Sequence, residues 1–134
     1  MSARTIRITA GEVTATAALD GSRTADAIWK ALPIEAKAST WGDEIYFDIG
    51  VTIAAESSKE VVALGDLAYW PPGSAFCIFF GRTPASTGDE PRAASGVNVF
   101  GRVAGDPTVF KKVRAGGVIK LEQVKLERAD PGKG

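Results

Sequence analysis

Short runs of alternating apolar and polar residues, each broken by a turn signal, limit the fold of this chain more than any other feature. In "RTIRITAGEVTATAAL", residues 4–19, Ile6 and Ile8, then Val13, Ala15 and Ala17, fall on alternate positions either side of Gly11. Period two places such residues on one face of a strand, and Ala10-Gly11 marks a turn or bulge. "WGDEIYFDIGV" repeats the pattern, with Ile45, Phe47 and Ile49 on one face and Glu44, Tyr46 and Asp48 on the other. "AFCIFF", residues 75–80, is continuously apolar, as in a strand buried on both faces. Strand signals continue at 97–106, "VNVFGRVAGD", and in a last strand with Val118, Ile119, Leu121 and Val124. One segment differs: Ala27, Ile28, Ala31 and Leu32 recur at helical spacing, with Thr24 as the expected N-cap and Pro33 as the stop. Glu56 to Lys59 reads as a turn, and residues 81–96 as a long irregular segment of the kind that is often functional or mobile. Seven or eight short strands, one or two short helices and regular turn signals predict a mainly β protein, a closed barrel or a sandwich.

With 134 residues the chain suits one domain. Residues 1–126 are expected to form it, and the charged, Pro- and Gly-containing residues 127–134 a flexible C-terminal tail. Sixteen basic and sixteen acidic residues cancel, so nothing points to nucleic acid or an anionic membrane. No apolar run approaches the ~20 residues that span a bilayer. The N-terminal residues do not read as a signal peptide. Cys77 is the one cysteine and has no internal partner, which favours a reducing, cytoplasmic setting. The chain has no histidine, which removes Ser-His-Asp and Cys-His catalysis and His-based zinc sites. No metal and no cofactor are expected.

Several motifs together resemble the cyclophilins. Cyclophilins carry G-x-L-S-M-A-N, a loop, then S-Q-F-F-I. Here Gly65-Asp66-Leu67-Ala68-Tyr69-Trp70 is followed by a shorter Pro-Pro-Gly loop and Ser74-Ala75-Phe76-Cys77-Ile78. Their later V-V-F-G-K-V is similar to Val97-Asn98-Val99-Phe100-Gly101-Arg102-Val103. The Tyr-Trp-Pro-Pro-Gly and Phe-Phe-Gly pieces are more similar to a bacterial and archaeal group of small cyclophilin-like proteins of uncharacterised function. The resemblance spans residues 5–125 and implies an eight-stranded closed barrel capped by two helices. It does not extend to the isomerase residues. The segment matching the catalytic F-H-R and Q-G-G-D pieces, residues 42–51, has no Arg, His or Gln, and residues 82–96 lack the groove Trp and His.

The resemblance implies that Phe76 and Ile78 point into the barrel while Trp70, Cys77 and Phe79 line an outer groove. Pro71 and Pro72 stiffen its rim, because each fixes φ near −65°. Trp41 and Tyr46 join Trp70 as candidates for one aromatic pocket, and Arg82 reaches over it from the following loop. A plainer account stands beside each: Trp70 packs under a loop, Pro-Pro-Gly is only a turn, Cys77 is a small buried residue, and the aromatics are scattered. Trp29 reads as core packing. Asp43, Glu44 and Asp48 read as a solvated face; Glu44 and Asp48 lie ~13 Å apart on an extended strand, beyond the ~5–9.5 Å of paired glycosidase carboxylates. Arg82, Asp89, Glu90 and Arg92 have surface charge as their plainer account. The expectation is a non-catalytic domain that binds a small molecule or a peptide segment in the outer groove. The alternative is a weak peptidyl-prolyl isomerase in which Arg82 or Arg102 replaces the missing arginine. A third reading is a structural module whose groove buries a partner subunit, a homo-oligomer included.

Overall fold

The computed structural model describes residues 4–124; the expected tail at 127–134 lies outside the described residues. The opening alternation forms a hairpin of β1 (Arg4–Ala10) and β2 (Val13–Leu19). Gly11, at φ +61°, supplies the left-handed turn between them. Ile6, Ile8, Ala10, Val13, Ala17 and Leu19 all point into the core. Helix α1 (Arg23–Ala31) buries Ala25 and Ile28 against that core. Its N-cap is Ser22, not the expected Thr24: the Ser22 hydroxyl accepts from the Ala25 N–H at 3.1 Å. Thr24 lies within the first turn and is fully buried, and its hydroxyl donates to the Glu56 carboxylate at 2.7 Å. The same carboxylate accepts from the Arg23 and Thr24 N–H groups, and these bonds, that of the Thr24 hydroxyl first, hold its pKa below the usual glutamate range. Asn98 ties this corner together, donating to Thr24 Oγ1 and the Ala54 carbonyl and accepting from the Glu56 N–H.

The remaining strands are β3 (Ile34–Lys37), β4 (Ser39–Thr40), β5 (Glu44–Asp48), β6 (Lys59–Val61), β7 (Asp66–Trp70), β8 (Ala75–Phe79), β9 (Arg92–Val103) and β10 (Val118–Val124). Pro71–Gly73 and Pro107–Lys112 are 3-10 turns. The described residues thus contain ten strands against the seven or eight expected. The surplus comes from β3, β4 and β6, which are two to four residues long and too short to show a period. One curled sheet runs β3-β10-β1-β2-β9-β7-β8-β5-β4. Its ladder is open between β3 and β4, so the expected closure is not made by hydrogen bonds. Instead the two edge strands are consecutive in the chain and only Ala38 separates them. Ala38 is buried, with its N–H on the Gly117 carbonyl and its carbonyl on the Gly116 N–H.

Inside the sheet, Phe47 stacks on Phe76 at 5.1 Å and Phe100 meets Phe76 edge-on at 5.3 Å. Tyr69 is fully buried beside them; its hydroxyl donates to the Val51 carbonyl and accepts from the Ile53 N–H. β9 changes partners along its length. Its second half pairs with β7 and β2, while Arg92 and Val97 in its first half pair with β6. The first half and β6 therefore form a short ribbon beside the outer face of β7 and β8. A second apolar cluster joins Val62, Ala93 and Val97 of this ribbon region to Ala68, Ala75, Cys77 and Phe79.

Candidate functional site

Register decides which side chains meet on the outer face. Tyr46 of β5 is opposite Cys77 of β8, which is opposite Ala68 of β7. One step along, Asp48, Ala75 and Trp70 are aligned; one step back, Glu44 faces Phe79. Ala68, Ala75 and Cys77 are small and leave space between Tyr46, Trp70 and Glu44. The result is a cavity of about 220 Å3 lined by Trp41, Glu44, Tyr46, Trp70, Ala93, Ala94 and Val97.

Each wall is fixed by local structure. Trp41 and Glu44 flank the β4–β5 turn, where the Trp41 N–H donates to the Glu44 carbonyl at 2.9 Å. Gly42 sits in that turn at φ +62°, and a Cβ there would come within 2.9 Å of the Arg82 carbonyl oxygen. Trp70 ends β7. Its indole N–H donates to Ser95 Oγ at 2.7 Å, and its ring lies over Gly73, where an added Cβ would be 3.0 Å from two ring carbons. "YWPPG" is thus a strand end whose Tyr69 enters the core, whose Trp70 lines the cavity, and whose Pro-Pro-Gly turn leaves room for the indole.

Glu44 is the unexpected member. Its residue is 6% exposed rather than solvated. Burial pushes its carboxyl up to about 7, partly offset by hydrogen bonding from Cys77. None of the six ion pairs among the described residues involves it. Cys77 is a free, buried thiol whose pKa is pushed up by desolvation and by the neighbouring Glu44. It is not primed as a nucleophile.

The structure brings Trp41, Tyr46 and Trp70 to one cavity. Cys77 and Phe79 are fully buried in the outer cluster beside it. Pro71, Pro72 and Arg82 do not line it. Glu44, expected on a solvated face, and Ala93, Ala94 and Val97, for which the sequence carries no site signal, complete the lining. A wider depression of about 690 Å3 lies at the β1–β2 turn, lined by Glu12, Lys112, Arg114 and neighbouring small residues. It contains no buried charge, so the smaller cavity has the stronger claim to chemistry. Among the described residues no group of three or more His, Cys, Asp or Glu side chains is placed to hold a metal ion. No described helix is long and apolar enough to cross a membrane.

Comparison with known proteins gives the same frame. The cyclophilin-like family model matches residues 4–122. The solution structure of a hypothetical protein from the archaeon Archaeoglobus fulgidus is similar with a TM-score of 0.76 and 41% identity, over 91% of this chain and 95% of that one. A search of curated proteins found no match.

Proposed function

The chain belongs to the cyclophilin-like family, and from that premise we propose that it is a non-catalytic binding domain that holds a small molecule in the outer groove. One observation carries the reading: a buried carboxyl with no cationic partner among the described residues stands in a cavity walled by three aromatic side chains. An apolar pocket with one placed polar group is the usual form of a ligand site. The volume argues for a small occupant, since about 220 Å3 is below the ~300–1,000 Å3 of drug-sized sites. It admits a small molecule or one side chain of a peptide segment at a time.

Isomerase chemistry is less well supported. No arginine lines the cavity to polarise a prolyl amide. Arg102, the other candidate, is engaged by Asp66 at 3.3 Å. The buried lone cysteine fits a cytoplasmic protein. A fragment screen read by thermal shift and by the indole NMR signals tests the binding reading: hits should move the Trp41 and Trp70 signals. A standard Xaa-Pro isomerisation assay should show no acceleration, and turnover at isomerase-like efficiency would refute the non-catalytic reading.

A further inference from the structure

We propose that the groove recognises a small organic cation, an ammonium group with apolar substituents, held between the rings of Trp41, Tyr46 and Trp70 and the Glu44 carboxylate. This rests on the groove being a binding site and adds the chemistry of its ligand.

Charge is the first argument. Glu44 is the one charged side chain on the cavity wall, and its residue is 94% buried, since 6% is exposed. A carboxylate so placed must take up a proton or pair with a positive group, because an isolated buried charge is strongly disfavoured. No lysine or arginine among the described residues pairs with it. The neighbouring Cys77 thiol stays neutral and supplies no positive charge.

The walls are the second argument. The faces of two indoles and a phenol are electron-rich and attract cations, tryptophan most strongly. The Trp70 N–H is already used by Ser95, so this residue offers a ligand its ring rather than its donor. The remaining wall is Ala93, Ala94 and Val97, which have no polar side-chain atoms. An anion would meet Glu44 and be repelled. A sugar would leave most of its hydroxyls without partners. A compact alkylammonium head satisfies both the carboxylate and the apolar surface.

The test uses the full chain at about pH 8.5, where Glu44 is ionised, with three probes: choline, its neutral isostere with carbon in place of nitrogen, and acetate. Binding is followed by tryptophan fluorescence and the three indole N–H signals. Choline should bind at least about fivefold tighter than the isostere, in the range expected for a partly desolvated cation–π contact with an added charge. It should move the Trp41 and Trp70 signals and leave Trp29 in place, and acetate should move none. Glu44→Gln should reduce the preference to the share supplied by the rings, while the isostere still binds. Trp70→Leu, which keeps bulk without a π face, should reduce the preference independently. Equal affinities for choline and isostere, with Trp70 responding to both, would overturn the cation and leave the groove as a site. A choline preference left undiminished by Glu44→Gln would overturn it as well. No response of Trp41 or Trp70 to any probe or to a fragment library would remove the groove itself.

Discussion

On the inner face of β5, β7 and β8, Phe47, Tyr69 and Phe76 pack into the core, with the two phenylalanines ring on ring at 5.1 Å. On the outer face of the same strands, Tyr46, Trp70 and Glu44 surround a cavity of about 220 Å3. The residues alternate in sequence, so neighbours in the chain serve opposite ends. Inside, every polar group is answered: the Tyr69 hydroxyl has both a donor and an acceptor partner. Outside, a carboxyl is buried without a cation. Period two lets one strand carry the stability of the fold on one side and a site that opposes it on the other.

The largest expected effect probes the inner face. Phe76→Ala should cost ~3–5 kcal/mol, as for other buried phenylalanines, measured by denaturant melts. The second probes the carboxyl. Its pKa of about 7 lies above the ordinary glutamate value of 4.5. As pH rises the unfolded chain therefore loses this proton first, and the stability present below about pH 4.5 is lost as pH climbs through about 7. The full difference is about 3 kcal/mol, and stability is flat in this respect above that window. Glu44→Gln should lack this decline and exceed the wild type most at pH 8. Parallel profiles for the two proteins between pH 5 and 8 would return Glu44 to the solvated face.

Trp70→Ala comes next. It removes a half-buried ring and one hydrogen bond, for about 1–2 kcal/mol, and should weaken every groove ligand. A midpoint drop equal to that of Phe76→Ala would erase the distinction between the faces. The smallest expected effect is Gly73→Ala. A Cβ 3.0 Å from the Trp70 ring must displace the indole. Stability should change by less than about 1 kcal/mol while the Trp70 fluorescence and indole signal shift. An unmoved indole would mean that Gly73 does not set the ring position.

Local pattern was enough for the hairpin, the doubly buried β8 and the span of α1 to within a residue. It failed where the deciding partner is distant. Thr24 reads as a cap, but its hydroxyl is taken by Glu56, 32 residues away, and Ser22 takes over the cap. Residues 92–96 read as irregular because Ala, Ser and Gly have weak β preference; pairing with β6 on one side makes them a strand. Glu44 reads as solvated because it alternates outward. The missed signal was in β8: a strand apolar on both faces needs cover on both, and that cover extends over its ladder partner β5. Trp41, Tyr46 and Trp70 were legible as aromatics but not as one wall, since their meeting depends on the β5–β8–β7 register.

The seam at Ala38 has a consequence for how the chain can be rewired. Thr5 and Val124 are register partners, so a short linker between the first and last described strands would leave the sheet intact. Such a circular permutant could open at many points, but not equivalently. New termini in the Gly11 turn would divide a hairpin that seven residue pairs already hold together. New termini at Ala38 would release β3 and β4 at once, each held by a single neighbour, and turn a shared seam into two bare edges.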